Sequence, residues 1–123
     1  DGDGIPDWWE VQYFGSITNC APDADPDGDE MPNLLEYLAD TNPTNALSVL
    51  RISRIIREAD GLRIEWQGGA QAWQFLERRN HLQPGADTWI TIYTNPPPTA
   101  VWTNFFDRLG TNRTLFYRVR AVR

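Results

Sequence analysis

The chain has 123 residues and a mass of 14.1 kDa, room for one ordinary domain or two small ones. With 41% hydrophobic and 23% charged residues it has the composition of a folded chain rather than a disordered one; no apolar run approaches the roughly 18 residues of a membrane span, and one cysteine, Cys20, excludes an internally disulfide-stapled mini-domain. The net charge of −6 hides a division: residues 1–46 carry eleven acids and no base (−11), whereas residues 47–123 carry six acids against eleven arginines (+5). The chain opens without an initiator Met or a signal peptide, as a processed product or an excised piece would.

Such asymmetry marks two units with different jobs, and the predicted domains are 1–46 and 47–123. Eleven acids in 46 residues repel one another unless something neutralises them. A bound divalent cation is the largest local charge a site can hold. The competing reading is a set of Asp-rich capped turns without metal.

The acids repeat. Asp1-Gly-Asp3-Gly-Ile5-Pro6-Asp7-Trp-Trp-Glu10 aligns without gaps on Asp27-Gly-Asp29-Glu-Met31-Pro32-Asn33-Leu-Leu-Glu36, at an offset of 26 residues. The second copy reaches back to Asp25 and then reads D-x-D-x-D-x-x-x-N-x-x-E. That is the oxygen-ligand spacing of an EF-hand loop, with Asp25, Asp27, Asp29, Asn33 and Glu36 as side-chain donors and Met31 offering its backbone carbonyl. Ile5 takes the place of Met31 in the first copy. A register starting at Asp23 would put Gly28 at the sixth position but Met31 and Leu34 at ligand positions, so the Asp25 register is preferred.

A helix must follow each loop to bring back a glutamate. Asp7 and Asn33 are predicted N-caps, with Glu10 and Glu36 three residues on as in a capping box. Trp8, Trp9, Val11, Tyr13 and Phe14 supply the apolar faces of the first helix, which Gly15 ends; Leu34, Leu35, Tyr37 and Leu38 supply the second, which Asn42-Pro43 stops. Two departures stand out. Glu30 occupies the sixth loop position, where a turn normally needs Gly, so strain is expected there. The first copy lacks its first ligand, which Asp23, Asp40 or a neighbouring chain's carboxylate would replace. Hard oxygen donors favour Ca²⁺, two ions in all; Mg²⁺ prefers to keep its waters, and one His and one Cys are poor zinc ligands.

DGDGIPDWWE followed by DPDGDEMPNLLEYLADTNPTN resembles the bacterial thrombospondin type 3 and EF-hand-like calcium repeats, and more distantly the paired half-hands of dockerins. Over residues 1–46 the resemblance implies calcium ligation by Asp1, Asp3, Asp7 and Glu10 and by Asp25, Asp27, Asp29, Asn33 and Glu36. It also implies a stabilising or spacer role in a secreted or surface protein. Pro6 and Pro32 lack the N–H that paired EF-hand loops use to bridge each other, so an ordinary paired lobe is not expected.

After a junction at Pro43–Ala46, extended segments are predicted at 49–56, 61–66, 72–79, 88–94, 100–106 and 114–122. Asp60-Gly61, Gly68-Gly69, Gln83-Pro84-Gly85 and Asn95-Pro96-Pro97-Pro98 punctuate them. Leu62, Ile64 and Trp66 alternate with Arg63, Glu65 and Gln67, and Leu115, Tyr117, Val119 and Ala121 alternate with Phe116, Arg118, Arg120 and Val122. LRIEW and LFYRVRAV resemble the second and sixth strands of a fibronectin type III-like domain, which implies binding or scaffolding and a missing seventh strand beside 114–122. The expected class is therefore α+β: two EF-hand-like calcium loop–helix repeats packed on or linked to a small antiparallel β-sandwich.

The remaining signals are weak. His81 has no visible nucleophile or orienting acid, so it reads as a turn residue and catalysis is not expected. Cys20 reads as a buried small apolar residue. Trp66, Trp73, Trp89 and Trp102 read as core or sandwich edge, and one of Trp8 and Trp9 as packing on the β half or a partner. Arg78, Arg118 and Arg120 read as one outer sheet face; the acidic balance argues against nucleic acid. Asn112-Arg113-Thr114 is a glycosylation sequon. The function expected is a non-catalytic, calcium-stabilised structural module of an extracellular, bacterial surface protein. Its partners would be copies of itself, in a filament, or other modules of a larger protein. The alternative is an adhesion module that binds carbohydrate or protein through exposed aromatics.

Overall fold

The computed structural model describes residues 1–80, 88–108 and 114–123. His81, the Gln83–Gly85 turn, and Asn112 and Arg113 of the sequon lie outside the described residues. Two short helices come first, α1 (Asp7–Phe14) and α2 (Asn33–Ala39), each preceded by an acidic loop. The apolar residues of these segments gather in one cluster. Ile5, Trp9 and Cys20 are buried, and Tyr13, Phe14, Leu34 and Tyr37 pack around them. Trp9 is its hub, with ring centroids 4.8 Å from Tyr13, 6.1 Å from Phe14 and 6.0 Å from Tyr37. Cys20 is buried as expected, and burial together with the charges of Glu10 and Asp3 pushes its thiol up to about 11.

The helix starts differ from the expected caps. Asp7 and Asn33 are the first helical residues, and the cap positions belong to Pro6 and Pro32 with no side-chain cap bond. Both prolines are extended, and their carbonyls accept the first helical N–H groups: Trp9 to Pro6 at 2.9 Å and Glu36 to Pro32 at 3.0 Å. A proline has no N–H to lose and its φ is already fixed, so the chain turns into the helix without a capping oxygen. Gly15 ends α1 in the left-handed region (φ 72°), as expected. Asp40 ends α2 (φ 56°), before Asn42-Pro43 is reached; aspartate tolerates this conformation better than most residues.

Six strands follow: β1 (Arg51–Glu58), β2 (Gly61–Gln67), β3 (Trp73–Arg79), β4 (Ile90–Asn95), β5 (Trp102–Asp107) and β6 (Phe116–Val122). They form two antiparallel three-stranded sheets, ordered β1-β2-β5 and β4-β3-β6. The period-two pattern sends Ile64 and Trp66 of one sheet against Leu76 of the other, with Leu50, Ile52, Leu62, Ile92, Tyr93, Phe105, Tyr117 and Val119 around them. The result is a small sandwich, and β6 lies at the edge of its sheet.

Two buried polar ties cross the sandwich. Trp66 Nε1 donates to Gln74 Oε1 at 2.9 Å, while Gln74 Nε2 donates to the Gly69 carbonyl at 3.1 Å. Asp107 of β5 receives both Arg78 Nη1 and the Tyr117 hydroxyl at 2.7 Å. Arg78 is therefore not part of an outer arginine face. It follows buried Leu76 and Glu77 on β3 and points inward, where Asp107 balances its charge. Arg118 and Arg120 do share the outer face, but there they converge on Glu77, at 2.7 and 3.5 Å. Trp66 is core, whereas Trp73 (45% exposed) and Trp102 (61%) are not. Among the described residues no helix is long and apolar enough to cross a membrane.

Replacing Asp107 by Ala leaves a mostly buried guanidinium and a phenol without their partner. Chemical denaturation should show a loss of about 3 kcal/mol, as for other broken buried pairs.

Candidate metal centre

The sequence repeat is also a repeat of geometry. Asp1 Oδ1 accepts the Asp3 N–H at 3.4 Å, and Asp27 Oδ1 accepts the Asp29 N–H at 3.4 Å. Asp3 Oδ1 accepts the Ile5 N–H at 2.9 Å, and Asp29 Oδ1 accepts the Met31 N–H at 2.8 Å. Gly2 and Gly28 both have positive φ (87° and 76°), as do Gly4 and Glu30 (103° and 77°). The strain expected at Glu30 is thus present: a residue with a Cβ sits where its counterpart is glycine. Each of these four aspartates uses one oxygen to fold its own loop, and the second oxygens of Asp27 and Asp29 are buried without a hydrogen-bond partner among the described residues.

Asp25 is the exception. Its Oδ1 accepts from Gly28 and Asp29 at 2.8 and 3.2 Å, and its Oδ2 from Glu30 at 2.9 Å. Burial works against its charge, but these three donors together hold its carboxyl below the usual range. Asp25 therefore stays ionised and pins the loop closed. Carboxylate oxygens of Asp25, Asp27 and Asp29 lie within 4.8 Å of one another, and so do those of Asp1, Asp7 and Glu10. Asp3 and Glu36 fall outside these two tight sets.

What decides the chemistry is the state of the oxygens that remain. Glu10, Asn33 and Glu36 are fully buried. Both carboxylate oxygens of Glu10 and of Glu36, Oδ1 of Asn33 and one oxygen each of Asp27 and Asp29 are buried without a hydrogen-bond partner. A buried, unpartnered carboxylate costs several kcal/mol. Burial pushes Glu36 up to about 7, helped by the charges of Asp29, Asp27 and Asp25. Burial and then the Asp3 and Asp7 charges push Glu10 upward too. Asp27 is raised by burial and by Asp29. The donors are all hard oxygens, and they fit a divalent cation with a preference for oxygen.

The two loops are not equally enclosed. Around the second, residues 21–24 form a brace: the Asn33 amide donates to the Ala21 carbonyl at 2.8 Å, the Asn33 N–H to Ala24 at 2.9 Å and the Leu34 N–H to Pro22 at 3.0 Å. Asn33 thereby aims its carbonyl oxygen at the loop. Asp7, its counterpart, is exposed and pairs with the amino group of Asp1 at 3.0 Å. Asp40 does not complete the first loop. Its carboxylate pairs with Arg123 at 2.9 Å and accepts the Gln71 N–H at 2.8 Å. Nothing in the order of residues marks Arg123 for this place, since it is one arginine among eleven and meets Asp40 only through the fold. Nor does that order show the 21–24 brace, which is built from backbone carbonyls.

No protein-family model, curated protein or solved structure matches this chain.

Two outcomes follow from this geometry. Glu30→Gly removes the left-handed strain without removing a loop donor, and should raise the unfolding free energy by about 1 kcal/mol in a denaturant titration. The second concerns pH. A folded pKa raised above its unfolded value means that the native state binds the proton more tightly. Glu36's contribution is then complete below about pH 4.5 and is lost as pH rises through 7. In chelator, the melting temperature should fall between pH 5 and pH 8, and Glu36→Gln should remove most of that slope. A flat or rising wild-type profile in chelator would contradict this account.

Proposed function

We propose that this chain is a non-catalytic, calcium-stabilised structural module of an extracellular or cell-surface protein. The observation that carries the reading is the burial of Glu10 and Glu36 with no hydrogen-bond partner on any carboxylate oxygen. In the second loop Asp25, Asp27, Asp29, Asn33 and Glu36 would hold the ion with the Met31 carbonyl; in the first, Asp1, Asp3, Asp7 and Glu10 with the Ile5 carbonyl. These are the donors of an EF-hand-like or thrombospondin type 3-like repeat. Such an ion supplies the positive charge that the acidic segment lacks. Millimolar calcium outside cells fills even weak loops of this kind.

The acidic half has a second need for the ion. Its apolar cluster contains three buried residues, which is little for a unit of this size, and Cys20 has no disulfide partner in the chain. Small units of this kind are commonly stapled by a metal. The reading extends to self-assembly: two divalent ions would still leave residues 1–46 at −7 beside a +5 half, and β6 offers a sheet edge for strand addition.

The second reading, adhesion, is favoured by one observation. Trp102 is 61% exposed and borders a hollow of about 300 Å³ with Glu65, Thr103 and Asn104. A flat indole flanked by polar side chains suits a sugar ring.

Calorimetric titration of the chain with calcium tests the primary reading. Binding is expected, and saturation should raise stability by about 2.7 kcal/mol at a hundredfold excess over Kd. Glu36→Ala and Asp25→Ala should each abolish binding at the second loop. Absence of any calcium-dependent heat or thermal shift would overturn the reading.

A further inference from the structure

The contacts between the acidic half and the sandwich converge on α2 and its two flanks. On the loop side, Met31 Sδ accepts the Leu50 N–H at 3.2 Å, just ahead of β1. At the other end, the Asp40 carboxylate accepts the Gln71 N–H at 2.8 Å and pairs with Arg123 at 2.9 Å. The Arg123 guanidinium also donates to the Tyr37 carbonyl at 3.4 Å, and it lies 5.2 Å from the Tyr37 ring and 5.4 Å from that of Trp8. Beneath Asp40 sits Gly69, so close that a Cβ there would fall 2.0 Å from the Asp40 carbonyl oxygen. The Gly69 carbonyl in turn accepts from Gln74 and Thr99 in the buried polar network of the sandwich.

Between Met31 and Asp40 in sequence stand Asn33 and Glu36, whose side chains keep buried oxygens with no hydrogen-bond partner among the described residues. The helix that carries the unmet carboxylate is thus flanked by Met31 and Asp40, and it carries Tyr37 itself, so α2 and its immediate flanks hold every one of these contacts except that of Trp8. Buried polar atoms that lack partners favour any rearrangement that meets them, so without a cation α2 is the element under pressure to move, and Met31 ahead of it and Asp40 behind it would move with it.

We infer that the cation held by the second loop also fixes the seat of α2 on the β-sandwich, so that calcium sets the geometry between the two halves as well as the fold of the first. This rests on the calcium reading above. Because coupling is reciprocal, the factor by which calcium stabilises the seat is the factor by which a formed seat raises calcium affinity, so breaking the seat must weaken calcium binding.

Arg123→Met provides a test in which two explanations give opposite signs. Simple electrostatics makes calcium bind more tightly once a positive charge beside the acids is removed. The coupled seat makes it bind about fivefold or more weakly, at the lower end of ordinary coupling. Gly69→Ala, which changes no charge and meets the Asp40 carbonyl, should also weaken binding. Hydrogen exchange on the full chain supplies the other arm. On chelation the Leu50 and Gln71 amides should exchange about tenfold faster or more, while those of Ile64 and Leu76 keep their protection. Unchanged Leu50 and Gln71 exchange on chelation, or unweakened calcium binding by Arg123→Met, in a chain whose wild type binds calcium, would overturn the inference alone. No calcium heat from the wild type would overturn the calcium reading and this inference with it.

Discussion

A carboxylate shut away from water must find a proton, a donor or a cation. Glu10 and Glu36 are shut away completely, and among the described residues no hydrogen bond is made to their carboxylate oxygens. The loops ahead of them spend one oxygen each of Asp1, Asp3, Asp27 and Asp29, and both of Asp25, on their own backbone turns, and leave the second oxygens of Asp27 and Asp29 buried without a partner. The organisation of residues 1–40 is intelligible once that requirement is stated. The prolines start the helices without using a side-chain oxygen, the brace at 21–24 turns Asn33 toward the loop, and the glutamate returns one turn into each helix.

The sandwich shows the opposite treatment of buried polarity. Gln74, Glu77 and Asp107 are nearly as enclosed as Glu10 and Glu36, yet each is met within the chain: Gln74 by Trp66 and Asn95, Glu77 by Arg118 and Thr91, Asp107 by Arg78 and Tyr117. Satisfied polar ties of this sort hold two sheets in one register and need nothing from outside. One chain thus contains a half in which these buried groups are met from within and a half that leaves the Glu10 and Glu36 carboxylates unmet among the described residues. The difference follows the arginines, which are confined to residues 51–123. Arg123 is the one that reaches across, and it meets Asp40 rather than the loops.

Much of this was legible in the residues. The 26-residue duplication shows which positions share a backbone conformation, and the match of Gly4 to Glu30 marks the strained site from the residues alone. Alternation in LRIEW and YRVRAV located the buried faces of β2 and β6 because a strand's side chains have period two whatever surrounds them. Other points were not legible. Asn33 looked like an N-cap because caps and metal ligands draw on the same residue types; only the neighbouring carbonyls of 21–24 show that its amide is used elsewhere. Arg78, adjacent to Arg79 on β3, looked solvent-facing because inward and outward positions near a bulge cannot be told from spacing alone. Trp73 and Trp102 read as core or sandwich edge because the residue type cannot choose between them; both prove exposed, Trp102 on the edge strand β5.

The amino-acid sequence by itself determined the division of charge, the loop repeat and the alternation of the strands, since each can be read from the order and spacing of residue types without knowing which segments meet. The tertiary structure alone decided which carboxylates lose their water, which arginine crosses between the halves and which tryptophans remain outside. Those outcomes depend on distant segments, such as Ala21 on Asn33, Asp40 on Arg123 and Arg78 on Asp107, whose approach is a property of packing and leaves no local trace in the order of residues.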